Sequence, residues 1–118
     1  MIVIPQYSHL IWAGDLHART TTPASRVDDF RAAQRTKLDA IFDISKELHA
    51  PVVFTGDLFD RPDPPYSLVI EMCERFLQSP HGVLTTVGNH DIYGASLSTL
   101  HRSALGVLVA AKAVSPHA

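Results

Sequence analysis

Cysteine is almost missing from this chain. Cys73 is the only one in 118 residues, so no internal disulfide can form and a reducing, cytoplasmic setting is the default expectation. Lying in a helical pattern, Cys73 reads as a small buried apolar residue. Neither sign of charge is in excess. Ten Lys and Arg against twelve Asp and Glu leave a formal charge of −2, which provides no global electrostatic footprint for nucleic acid and argues against tight DNA binding by this segment on charge alone. No apolar run approaches the ~20 residues of a membrane helix. The N-terminus is apolar at Met1 to Ile4 and again at Leu10 to Ala13, but it has no basic region and runs straight into Asp15, unlike a signal peptide. Internal repeats and low-complexity tracts are lacking too. What is present, 46% apolar residues at a mean hydropathy of +0.07, fits one soluble globular domain at most.

Strand and helix patterns alternate along the chain. Leu10-Ile11-Trp12-Ala13 is a continuous apolar run that fits a strand buried on both faces, with Trp12 in the core. A polar loop follows, and Ser25 with Asp28 three residues on suits a helix start. Val27, Phe30, Leu38, Ile41, Phe42, Ile44 and Leu48 then approximate a 3.6-residue stripe, with Arg31, Arg35, Lys37, Asp39 and Lys46 mostly on a solvated face. Ala50-Pro51 closes this helix and Val52 to Thr55 forms a second strand. Successive prolines stiffen Arg61 to Pro65. Asp63 is placed to cap a second helix from Tyr66 to Gln78, with Leu68 or Val69, Met72, Cys73, Phe76 and Leu77 inward. Val83 to Val87 is the third strand. A turn at Tyr93-Gly94, a short helix across Ser98 to Leu105 and an apolar run Val107 to Ala110 complete the pattern. The repeated strand and helix order implies an α/β fold with a mostly parallel sheet flanked by helices.

Each strand delivers a short polar signature: Gly14-Asp15-Leu16-His17, Gly56-Asp57-Leu58-Phe59-Asp60 and Gly88-Asn89-His90-Asp91. One Gly-Asp after an apolar run is an ordinary turn, and one loop histidine is ordinarily solvated. Three in succession, each behind its own strand, have the layout of a metal site. Carboxylate, imidazole and amide oxygen all suit a hard or borderline divalent cation. Asp15 and Asp57 lie 42 residues apart, room for one crossover helix between parallel strands.

These signatures resemble the calcineurin-like metallophosphoesterases, whose pattern runs Asp-x-His, Gly-Asp-x-x-Asp and Gly-Asn-His-Asp or Glu. The likeness spans roughly Leu10 to Leu105. It implies the first half of a sandwich of two mixed sheets between helix layers. It also implies two divalent cations, manganese first with iron or zinc acceptable, holding a hydroxide that attacks a phosphoester. By resemblance, Asp15 and His17 belong to the first metal, Asp57 bridges, and Asn89 reaches the second metal. His90 stabilises charge on the phosphate or protonates the leaving oxygen. Asp91 is placed to hold His90 in one tautomer, or is a turn residue. Asp60 orders its loop through backbone hydrogen bonds in preference to touching metal. Arg61 either reaches a substrate phosphate or is an exposed arginine. His9, His49, His81 and His101 fall outside the motifs.

The stretch Gly56-Asp57-Leu58-Phe59-Asp60, with Pro64-Pro65-Tyr66-Ser67 close behind, looks most like the SbcD-type DNA repair nucleases and their phage relatives. That likeness implies DNA as substrate and, by analogy only, a coiled-coil ATPase partner. A small-molecule phosphatase or cyclic-nucleotide phosphodiesterase would use the same ligands. The family's later single histidine and Gly-His-x-His segment are not in this sequence, so residues 1–118 read as the N-terminal portion of one metallophosphoesterase domain. That portion is weakly active or inactive alone, or a non-catalytic fragment completed by a homodimer or a complementing C-terminal segment.

Overall fold

The computed structural model describes residues 8–14, 16–19, 30–94 and 96–117. Among these residues four short strands form one sheet in the order β1 (Ile11–Ala13), β2 (Val52–Phe54), β3 (Val83–Thr86) and β4 (Ser115–His117), every neighbouring pair parallel. Helix α1 (Phe30–Leu48) lies between β1 and β2 in the chain, and α2 (Tyr66–Leu77) between β2 and β3. Two 3-10 turns, Asn89–Asp91 and Leu97–Arg102, and helix α3 (Ala104–Ala110) precede β4. The expected α/β architecture with a parallel sheet and flanking helices is therefore present.

Right-handed crossovers between strands laid down in sequential order carry every helix over the same face of the sheet. Burial alternates accordingly. Ala13, Val52, Phe54, Val83 and Thr85 are buried, and Phe54 stacks on Phe76 of α2, which meets Phe42 of α1 edge to face. Trp12, Val53 and Leu84 share a register row on the opposite face and are less covered. Trp12 is 71% exposed. Its placement in the core is thus corrected: the apolar run of β1 is buried on one face only, and period-two alternation turns the indole to the other.

The helices depart from their sequence patterns in instructive ways. The core face of α1 is Gln34, Leu38, Phe42 and Ser45, while Ile44 and Leu48 are exposed. Two polar residues occupy the stripe because each satisfies a backbone carbonyl: Gln34 those of Leu16 and His17, Ser45 that of Ala50. The proposed start at Ser25 and Asp28 lies outside the described residues. The charged face of α1 is partly committed to α2, since Arg31 and Arg35 pair with Glu71 and Asp39 pairs with Arg75. In α2, Leu68, Val69, Met72 and Phe76 are buried as expected, whereas Leu77 is exposed and Cys73 is half-buried. The helix is preceded by Pro65, with no side-chain cap. Asp63 sits too early to cap it and bonds Arg61 instead.

The C-terminal region differs most. Residues 97–102 are 3-10 helix, the run Val107 to Ala110 belongs to α3, and β4 adds a strand that the sequence pattern does not signal. Among the described residues, no helix is long and apolar enough to cross a membrane.

Candidate metal centre

Three loops leave the carboxyl ends of β1, β2 and β3, the end of a parallel sheet where ligands bind. Hydrogen bonds hold them together. The first and second loops continue the parallel pairing beyond their strands: His17 N–H donates to the Asp57 carbonyl at 2.9 Å, Ala18 N–H to Leu58 at 2.9 Å, and Asp60 N–H back to Ala18 at 3.0 Å. From α1, Gln34 Nε2 donates to the carbonyls of Leu16 and His17, each at 3.2 Å. A buried amide thus anchors the loop that carries His17.

The third loop is attached to the second by two carboxylates. Asp57 Oδ1 accepts the His90 backbone N–H at 2.8 Å. Asp91, fully buried, accepts Phe59 N–H on Oδ1 at 3.1 Å and Gly88 N–H on Oδ2 at 3.0 Å. Burial pushes the Asp91 carboxyl above its ordinary range, opposed by backbone N–H groups led by that of Phe59.

Close approach makes glycine necessary at two points. A Cβ on Gly88 would lie 2.1 Å from Asp57 Oδ1 and 2.3 Å from Asp57 N. Gly56, at φ +108°, has a positive φ that side chains disfavour and room for only a tight Cβ contact at 3.1 Å from Thr86. His17 and Asp57 themselves adopt φ of 47° and 46°, left-handed conformations that non-glycine residues enter at a cost of roughly 1–3 kcal/mol where the surroundings enforce them. Both are proposed ligands, and both are held there by the ladder between the first two loops.

The side chains converge on Asp60. His17 Nδ1 lies 3.9 Å from Asp60 Oδ1, and Arg19 Nη1 lies 3.6 Å from Oδ2. The His17 and His90 rings meet edge to face at 5.1 Å. His90 Nδ1 is 3.0 Å from the Asp60 carbonyl oxygen. A carbonyl only accepts, so Nδ1 carries the proton and Nε2 is the other, exchangeable position. That bond is the main reason the His90 imidazole is held above its ordinary pKa, with the charges of Asp57, Asp60 and Asp91 adding to it and burial opposing.

His17, Asp57, Asn89 and His90 are thus brought to one end of the sheet, while Asp15 lies outside the described residues. Asp91 is at the same place, and of its two sequence readings it takes that of a turn residue, through the Gly88 N–H. Its oxygens face backbone N–H groups, and the partner that orients His90 is the carbonyl of Asp60. Arg61 pairs with Asp63 at 2.8 Å on the surface, the exposed-arginine alternative. Sequence reasoning left Arg19 and Gln34 out of the site, and gave Asp60 a backbone role that it has without the side-chain place beside His17 and Arg19 that it also has. Asp60 was legible in Gly-Asp-x-x-Asp, and Arg19 lies two residues past His17. Gln34 gave no signal beyond a polar residue on an apolar stripe.

His17, Asp60 and His90 each offer a donor atom, all within 4.8 Å of one another. This is near the span of about 4 Å that a cation bound at roughly 2.1 Å closes. Carboxylate with imidazole is a donor set for manganese, iron or zinc. The residues present therefore fit a metal. A scan against protein-family models matches residues 8–111 to the calcineurin-like phosphoesterases. Searches of curated proteins and of solved structures return no match.

Proposed function

This chain belongs to the calcineurin-like phosphoesterase family, a metal-dependent hydrolase family, and we propose that it hydrolyses phosphodiester bonds, DNA first among them. The observation that carries this reading is the convergence of His17, Asp57, Asp60 and His90 on one sheet end, held by hydrogen bonds that leave imidazole and carboxylate atoms clustered. Asp15, His17, Asp57 and Asn89 would hold two cations, manganese in preference, with Asp57 shared between them. Bound there, the metal pair supplies a nucleophile at neutral pH and charge neutralisation for the phosphate.

The chain's own groups do the rest. Asp60 orients His90 through its backbone carbonyl, keeping Nε2 as the position that gives a proton to the leaving oxygen or a hydrogen bond to the phosphate. A raised imidazole pKa suits the acid form of that role. Arg19, beside Asp60 at the rim, supplies positive charge for a substrate phosphate.

The Asp57 to Ser67 likeness supports an SbcD-type, phage-related nuclease, with a coiled-coil ATPase as partner by analogy. Residues 1–118 are proposed as the N-terminal portion of the domain, since the family's later histidines are not among them. A homodimer or a complementing C-terminal segment then completes the metal shell. The test is manganese-dependent hydrolysis of single-stranded DNA, a nucleotide monoester and a cyclic nucleotide, beside Asp57→Asn and His90→Ala. Cleavage of DNA lost in both variants is the expected result. Folded protein that cleaves none of the three, alone or with a segment supplying Gly-His-x-His, would overturn the reading.

A further inference from the structure

A cleft of about 510 Å³ opens between the proline loop and α3, next to the metal centre and separate from its ligands. Its size falls within the roughly 300–1,000 Å³ of small-ligand sites. The walls are continuous with the site along two segments. Pro62 and Asp63 lie two and three residues beyond Asp60, and Tyr93 is three residues beyond His90. Three virtual bonds span at most about 11 Å, so the backbone at Asp63 and Tyr93 begins the cleft within that reach of Asp60 and His90. The backbone of the cleft is tied across its base, where Ala104 N–H donates to the Pro62 carbonyl at 2.8 Å.

The lining has an unusual chemistry for a solvated rim. Buried Val69 and half-exposed Val107 are apolar lining, and Tyr66, Tyr93, His101 and Arg102 line the cleft with them. Tyr66 is 86% exposed at the first position of a helix, where neither packing nor capping calls for a phenol ring. Arg102 stacks its guanidinium 5.4 Å from the Tyr93 ring centroid, forming a cationic π surface. The one acid in the wall, Asp63, is neutralised by Arg61 at 2.8 Å. Aromatic faces, a planar cation and no uncompensated acid form the donor set for a flat heterocycle attached to a phosphate.

We infer that this cleft is a nucleoside subsite: Tyr66 and the Arg102–Tyr93 pair stack the base next to the scissile phosphate, and Arg102 also faces the adjoining phosphate. The inference rests on the phosphodiesterase reading above and adds the class of group recognised. Stacking of this kind tolerates any base, so the subsite selects nucleotides over simple phosphoesters without reading sequence.

The experiment compares two substrates with one leaving group, thymidine 5′-(p-nitrophenyl phosphate) and methyl p-nitrophenyl phosphate, under manganese. Loss of one stacking partner is worth roughly 5- to 150-fold in binding. Tyr66→Ala and Arg102→Ala should each raise KM for the thymidine ester at least fivefold and leave kcat/KM for the methyl ester within twofold, with Tyr66→Phe close to wild type. Equal loss on both substrates, or no loss on either, overturns the subsite while leaving the phosphodiesterase reading standing. Should neither ester be hydrolysed, saturation-transfer NMR with thymidine 5′-monophosphate on metal-free protein decides independently of turnover. Saturation of the base protons that disappears in Tyr66→Ala supports the subsite, and no saturation in the wild type overturns it.

Discussion

Replacing Asp91 by alanine tests whether the site is held by buried hydrogen bonds or by its metal ligands alone. The Asp91 carboxylate is fully buried and receives Phe59 N–H at 3.1 Å and Gly88 N–H at 3.0 Å, so its removal orphans one donor in each of two loops. A buried donor left unmade costs about 1–3 kcal/mol, giving roughly 2–6 kcal/mol for two. Removing a carboxylate that burial already disfavours returns part of this. The net expectation is about 2–4 kcal/mol of destabilisation, about a third of the stability of an ordinary domain. Urea unfolding followed by circular dichroism should show the midpoint falling by about 1–2 M at constant slope. Asp91→Asn keeps one acceptor but turns an amide N–H₂ toward the other donor, and should fall between wild type and alanine. The pH dependence has a definite sign. With its folded pKa raised, Asp91 contributes most below the unfolded carboxyl value of about 3.9 and loses that contribution as pH climbs through the folded value. The cost of Asp91→Ala should therefore be larger at acid pH than at pH 7. A cost under about 0.5 kcal/mol, or one that grows toward pH 7, would refute the reasoning.

Gly88→Ala should destabilise the chain by more than about 2 kcal/mol in urea unfolding, because its Cβ would overlap backbone and carboxylate of Asp57. Gln34→Ala should release the His17 loop, seen as faster amide exchange at His17 and Ala18 and about 1–2 kcal/mol of lost stability. In metal-free protein, His90 should titrate by NMR above the ordinary imidazole value of about 6.5, and its small stabilising contribution should vanish as pH rises through that raised value. Trp12, the only tryptophan, should show red-shifted fluorescence readily quenched by acrylamide. Trp12→Ala should change the stability of this chain by less than about 1 kcal/mol.

What the sequence made legible was the part governed by short-range rules. The three strands before the motifs, both long helices and the loop positions of His17, Asp57, Asn89 and His90 all follow from periodicity and from the place of Gly-Asp after an apolar run. Which face of a strand is covered is a property of the whole sheet, and that is why Trp12 could not be placed from Leu10-Ile11-Trp12-Ala13 alone. Gln34 and Asp91 illustrate the same limit at the site. Apart from Gly88, three residues before Asp91, their partners are backbone groups 15 to 32 residues away, and a backbone N–H or carbonyl leaves no mark on the residue type that carries it. Strand β4 was hidden by brevity, three residues containing a proline.

The strands are laid down in the sheet in the order in which they are made, β1 to β4, and this has a consequence for the nascent chain. Each β-α-β unit can dock on the one before as it leaves the ribosome, with no strand waiting for a later one to be inserted between existing neighbours. The centre itself ripens late. Asp57 gains its His90 contact, and the second loop its Asp91 anchor, only when residues 88–91 arrive. The hydrogen bonds that gather the three loops at one sheet end are therefore closed only after the third strand is made.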